Sequence, residues 1–169
     1  MSFQGLLATL NGLKEKGVIK DYAIAGAYAV IYYFEPFFTS DIDIIVLLSS
    51  QDDFSNLNQY FDERGYKREG LYIRIDGKDV QFFAGYGGDL YEEAVRHANS
   101  ITVGEIPSKV VSREYLIALL LKSNRAKDKI RIVELLPQTN TDTLNEILRK
   151  HDNAQDNFQI KYQRLLKTI

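Results

Sequence analysis

The stretch that most constrains this chain is Asp41-Ile42-Asp43-Ile44-Ile45-Val46-Leu47-Leu48. It is rich in β-branched residues and opens with acid and isoleucine in alternation. On a strand, residues two apart point to the same side. Ile42, Ile44, Val46 and Leu48 therefore share one face, and Asp41 and Asp43 stand together on the other. A chain holding this segment must build a sheet, bury one of its faces, and find a use for two adjacent carboxylates. The segment is too short to cross a bilayer, as is Leu116–Leu121, so no membrane association is expected.

The flanking sequence supplies the rest of an α+β fold. Phe3, Leu6, Leu7, Leu10 and Leu13 recur at helical spacing, and Gly17 closes that helix. Tyr22–Ala25 reads as a short strand. Gly26 opens a helix from Ala27 to about Phe34, stopped before Pro36. Gln51–Arg64 reads as a helix ended by Gly65. Leu71–Ile75 and Asp79–Phe83 form two strands around the turn dipeptide Asp76-Gly77. Asp89 is placed to cap a helix reaching Ala98. Ile101–Val111 reads as one extended segment interrupted by Pro107, with Ser112 as a second N-cap. Beyond it everything is helical: Arg113–Lys122, Arg125–Leu136, Thr141–His151 and Ala154–Lys167. The expectation is a small mixed sheet flanked by helices over residues 1–111, with a helical subdomain over 112–169 packed on it.

Composition excludes several classes. With no cysteine among 169 residues, neither a disulfide framework nor a cysteine-rich zinc site is available. The first residues lack the basic, apolar and small-residue pattern of a secretory signal, which reads as a cytoplasmic protein. A net charge of −2 leaves room only for a local basic patch. His97 and His151 are solitary and lack ligand-like spacing.

Chemistry concentrates at three places. Asp41 and Asp43, as two like charges on one strand face, repel each other, and a hard divalent cation relieves the repulsion. The alternative is an exposed polar edge. Ala25-Gly26-Ala27-Tyr28 lies at a strand-to-helix junction, where glycine allows close approach and the helix start offers free amides to phosphate. The alternative is tight packing. Lys122, Arg125, Lys127 and Arg131 form a basic group, with Lys127 and Arg131 on one helix face. It is suited to phosphate, or else is a solvated face paired with Asp128 or Glu134. Gly85-Tyr86-Gly87-Gly88 is explained by a turn leading into Asp89. Tyr28, Tyr32 and Tyr33 read as core and rim of the second helix.

Taken together, Ala25–Val46, AGAYAVIYYFEPFFTSDIDIIV, resembles the polymerase-beta-type nucleotidyltransferase superfamily. It looks like the minimal nucleotidyltransferases and the abortive-infection toxin-like (AbiEii-like) branch, including Thr39 two residues before the first Asp. The resemblance extends through Gly77–Phe83, Glu92–Val95 and the Arg-x-Lys-Asp element within Ser112–Arg131, covering about residues 22 to 136.

The resemblance implies a nucleotidyltransferase fold and metal-dependent transfer of a nucleotidyl group from a nucleoside triphosphate. Asp41 and Asp43 would be the catalytic carboxylates holding Mg²⁺ or Mn²⁺. Gly26 and Ala27 would contact phosphate, and Lys122, Arg125 and Lys127 would neutralise it. The implied acceptor is an RNA end, such as that of tRNA, or a protein hydroxyl. The implied partners are a second copy of the chain or a cognate antitoxin-like protein. Three positions depart from the pattern: Ala27 replaces Gly or Ser, Phe37 stands where a basic residue is frequent, and Gln81 replaces the usual third acid. An amide is neither a general base nor a strong ligand for a hard cation. Asp79 shares the strand face with Gln81, about 6.6 Å along it, and is the candidate substitute. Gln81 also motivates a second reading, a catalytically impaired nucleotide- or RNA-binding module of toxin–antitoxin type. A third is a purely structural partner protein.

Overall fold

The computed structural model describes residues 2–169. The first helix, α1 (Phe3–Glu15), is capped by Ser2, whose hydroxyl accepts from the Gly5 amide, and buries Leu6, Leu7, Leu10 and Leu13. Gly17, at φ +70, turns the chain out of it. Next come β1 (Asp21–Ile24), α2 (Gly26–Tyr33), β2 (Asp41–Leu47), α3 (Gln51–Glu63), β3 (Arg68–Glu69), β4 (Tyr72–Ile75) and β5 (Lys78–Gly85). They are followed by α4 (Leu90–Arg96), β6 (Asn99–Val103), β7 (Ile106–Val110), α5 (Arg113–Ser123), α6 (Ala126–Leu135), α7 (Thr141–Lys150) and α8 (Phe158–Leu166).

The seven strands form one mixed sheet in the order β3-β4-β5-β2-β1-β7-β6. β2 lies near its centre, antiparallel to β1 and parallel to β5. Its central position explains its sequence. Ile42 and Ile44 are buried on one face, and Ile45, Val46 and Leu47 are buried as well, so only Asp41 and Asp43 keep partial exposure. Phe61, on the buried face of α3, stacks on Phe82 of β5 with ring centroids 5.5 Å apart. The strands all fall within residues 21–110, and the chain from Arg113 to Leu166 is helical.

Most elements lie where the sequence places them. Asp76 and Gly77 have φ of +48 and +79, the two positive values of a tight hairpin turn. Asp89 caps α4 by accepting from the Glu92 amide, and the Glu92 side chain accepts in return from the Gly88 amide. Three places differ. The expected single segment Ile101–Val111 is a hairpin, β6–β7, turned at Gly104 with φ +62, and Pro107 sits inside β7 opposite Thr102. Ser112 occupies the N-cap position of α5, but its side chain makes no capping hydrogen bond. The last helix starts at Phe158 rather than Ala154. Asn153 accepts from the amides of Gln155 and Asp156, as an N-cap would, but that single turn is broken from α8 by Asn157 at φ +49 and by Asp152, which accepts from the Phe158 amide.

Candidate nucleotide and metal site

Register across the sheet sets the site. On one face, Asp41 pairs with Asp79, and Asp79 with Arg74. One pleat further, Asp43 pairs with Gln81, and Gln81 with Tyr72. Paired residues on adjacent strands share a face. The next row, Ile45 beside Phe83, is apolar. The carboxylates therefore stand at the border between a charged and an apolar part of the same surface.

Asp43 is the more enclosed of the two acids. Burial first, and then the neighbouring charge of Asp41, pushes its carboxyl up to about 6, against the pull of Arg125, Arg131 and Lys127. Asp41 is held by Thr39, whose hydroxyl donates to its carboxylate at 3.4 Å, and by Ser40 at 3.5 Å. Asp79 is half-exposed and faces the Arg74 guanidinium at 3.5 Å. Among the described residues, no three His, Cys, Asp or Glu side chains converge as a metal-holding group. Asp41 and Asp43 stand as a pair, with the Gln81 amide next to Asp43.

Gly26 comes close to this pair. It has φ +54, and a Cβ built on it would lie 1.8 Å from Asp43 Oδ2. The Ala25 amide donates to the Asp43 carbonyl at 2.9 Å, tying the junction to β2. No side chain caps α2, which leaves its first amides free beside the carboxylate. Ala27 is buried, so this position is filled by packing.

A cavity of about 300 Å³ opens from Gly26 and Asp43 toward the helical segment. Its polar side holds Lys122, Ser123 and Arg125, and its apolar side includes Phe83, Tyr91 and Leu116. Phe83 and Tyr91 stack with centroids 5.7 Å apart and planes at 14°. Asp43 is the only acid among the lining residues; Asp41, Asp79, Gln81 and Lys127 do not line this cavity. Lys122 borders it, but its ammonium is bonded to Asp156 at 2.8 Å. Lys127 is exposed on α6, and its charge is felt at Asp43.

The basic group is organised by Asp128, which is fully buried. Its carboxylate accepts from Arg125 Nε at 2.7 Å, from Arg131 at 3.3 Å and from the Ser123 hydroxyl. Burial works against its ionisation, but these donors hold it below the usual carboxylate range. Arg131 lies 4.9 Å over the Phe37 ring, so the aromatic departure at that position carries a guanidinium on its face. The histidines serve packing: His151 is bonded to Glu93 at 2.8 Å, and His97 stacks on Tyr115.

Sequence reasoning missed the apolar wall. The signal was present, because Ile45 and Phe83 follow Asp43 and Gln81 at the same two-residue period. It also weighed Asp128 only as a surface partner of the arginines.

No protein-family model matches the chain, and no curated protein matches its sequence. Solved structures do. Over 98% of its length, and 96% of the other chain, it is similar to the antibiotic-resistance factor ANT(2'')-Ia in solution, with TM-score 0.56 and 12% identity. The fold is the nucleotidyltransferase fold. The same factor in complex with adenylyl-2''-tobramycin aligns over 95% of this chain and 99% of that one, with TM-score 0.56 and 13% identity. An antigenic nucleotidyltransferase-like protein from Paracoccidioides brasiliensis aligns over 94% of both, with TM-score 0.51 and 14% identity. At these identities the likeness is one of fold.

Proposed function

We propose that the protein is a metal-dependent nucleotidyltransferase that moves a nucleotidyl group from a nucleoside triphosphate to an acceptor hydroxyl. The observation that carries this is the contact of Gly26 with Asp43. It places the free amides of a helix start against a pair of carboxylates on one strand face. Phosphate is favoured by the amides, and a hard cation by the carboxylates.

The donor set fits such a cation. Asp43 is raised to about 6 by burial and by Asp41 even against the pull of Arg125, Arg131 and Lys127, so a cation bound directly to the pair would relieve repulsion that these side chains leave. Asp41 and Asp43 would hold Mg²⁺ or Mn²⁺, with the Gln81 carbonyl as a weaker neutral donor. When bound, the ion would neutralise charge developing on the transferred phosphoryl group. The Gly26 and Ala27 amides would orient the triphosphate. Arg125, fixed by Asp128, would meet its negative charge from the opposite wall, with Lys127 adding long-range attraction. Phe83, Tyr91 and the α5 leucines offer a dry surface that excludes water.

An adenylylated aminoglycoside occupies the ANT(2'')-Ia complex. Here the cavity lining holds a single acid, Asp43, beside the apolar wall of Phe83, Tyr91 and Leu116, and its cations Lys122 and Arg125 are already paired with Asp156 and Asp128, a lining that suits an aromatic group better than a polycation. An RNA end or a protein hydroxyl is consistent with that balance. Gln81, in register beside Asp43, supports a second reading: a nucleotide- or RNA-binding module that retains the cleft without transfer.

Calorimetric titration of ATP, GTP, CTP and UTP, with and without Mg²⁺, tests the two on wild type and Asp43→Ala. Mg²⁺-dependent binding that the substitution abolishes supports the transferase, and label transfer from an α-labelled triphosphate then identifies the acceptor. Binding indifferent to both metal and substitution supports the module. No binding by any triphosphate overturns the transferase and leaves of the module only RNA binding, which titration with a short RNA then tests.

A further inference from the structure

The charge of the chain is divided unevenly. Residues 1–111 hold ten Lys and Arg against sixteen Asp and Glu, whereas residues 112–169 hold eleven against seven. Part of this excess gathers behind the cleft wall. A separate cavity of about 160 Å³ lies among α5, α6 and α8, and Leu120 of α5 borders both it and the cleft. Its floor is aliphatic and buried, and its rim holds Lys129 from α6 with Lys161 and Arg164 from α8. Asn124, which ends α5, adds an amide donor.

These three cations differ from their neighbours. Lys122, Arg125 and Arg131 each have a carboxylate partner. Among the described residues, Lys129, Lys161 and Arg164, like Lys127, have no Asp or Glu within 4.0 Å, although the charge of Lys161 is felt at Asp156; what sets the three apart is that they line one recess. A solvated basic face would spread such side chains apart, because like charges repel. Here α6 and α8 place them around one recess with an aliphatic floor, Lys129 and Arg164 exposed and Lys161 half-buried, and an anion over such a floor interacts more strongly than on an open surface.

We propose that this recess binds phosphate. Arg164 offers a planar fork and the two lysines mobile point charges, a combination matched to a tetrahedral anion with several oxygens. The cavity has room for one or two phosphate groups and none for a whole nucleotide. The phosphate comes either from the backbone of a polynucleotide lying over α8 or from free phosphate or pyrophosphate. The site is separated from Asp41 and Asp43 by α5, and it stands whether or not transfer occurs at those carboxylates.

The test is an NMR titration of the full chain in the presence of a chelator, which silences any metal-dependent binding. The probes are orthophosphate, pyrophosphate and a single-stranded oligouridylate of about twelve nucleotides. The expected result is movement of signals from residues 161–168 and from Lys129. Affinity should fall by roughly tenfold or more in the double variant Lys161→Ala, Arg164→Ala. Lys161→Arg should retain binding, and so should removal of the same charge elsewhere, at Lys16 and Lys20. All four positions keep solvent contact, so the melting temperatures should match that of wild type. Oligouridylate binding far more tightly than pyrophosphate identifies the polynucleotide as the source, and equal affinities identify the free anion. The proposal is overturned if no probe moves these signals, or if the Lys16/Lys20 variant loses as much as the Lys161/Arg164 variant.

Discussion

Gly26 and Asp43 meet so closely that a Cβ on the glycine would lie 1.8 Å from the carboxylate's Oδ2. The glycine is also in the left-handed region, at φ +54. Two constraints thus act on one residue, and both protect the space in which a phosphate and a carboxylate-bound cation would meet.

Gly26→Ala should therefore disturb site and fold together. The left-handed backbone alone costs an alanine about 1–2 kcal/mol. Asp43 must also move, because β2 is fixed by strands on both sides. A lower melting temperature and weaker triphosphate binding by calorimetry are expected. Unchanged binding would separate Gly26 from the nucleotide.

Gln81→Glu should convert the pair of acids into a trio. A third carboxylate beside Asp43 adds repulsion without metal and a ligand with it. The variant should melt lower than wild type in chelator, gain more on adding Mg²⁺, and show more label transfer if the missing acid limits the reaction. An Mg²⁺ response identical to that of wild type would show that Gln81 does not face the ion.

Asp43 sets a pH dependence of stability. Its folded value of about 6 lies above the 3.8 of a free carboxyl. The unfolded chain releases this proton first, so stability falls as pH rises from about 4 through 6 and then levels off. Asp43→Asn removes that penalty. In chelator it should be more stable than wild type by up to about 3 kcal/mol at pH 8, with the difference closing near pH 4. Urea melts across this range test the sign.

Glu93 works in the opposite direction. Burial raises it, but hydrogen bonds from Lys150 and His151 outweigh that and hold it down to about 2, below the usual 4.5. Its contribution is complete above pH 4.5 and is lost as pH falls toward 2. It joins α4 to the end of α7 and also accepts from the Tyr115 hydroxyl. Glu93→Gln should lower the melting temperature at pH 7 and leave little difference from wild type near pH 2.

Asp128→Ala should cost about 3 kcal/mol, the low end for a buried pair because Arg125 keeps solvent contact, since it strips a buried carboxylate from two guanidinium groups. It should also free Arg125 from its fixed orientation. Weaker triphosphate binding with an unchanged Mg²⁺ response would mark Asp128 as a positioning residue. If triphosphate affinity is unchanged, the ion pairs serve the fold alone.

Local sequence was enough wherever one element's own residues decide its form. The leucines of α1, the alternation opening β2, the Asp76-Gly77 turn and the Asp89 cap act within a few residues of themselves, through side-chain period and backbone preference. It failed where local signals conflicted. Pro107 hid the hairpin turned at Gly104, and a left-handed Asn157, with Asp152 taking the Phe158 amide, breaks the turn begun at Asn153 from α8. What no local pattern contains is register. The parallel pairing of β2 with β5 sets Gln81 beside Asp43 and Phe83 beside Ile45. Folding of the helical segment turns Lys122 to Asp156 and brings Arg125 to the cleft. Residue types and spacing determined that two carboxylates share a strand face after a glycine junction. Only tertiary structure decided which neighbours those carboxylates meet, because such contacts join residues far apart in the chain, and the whole sheet and core select them together.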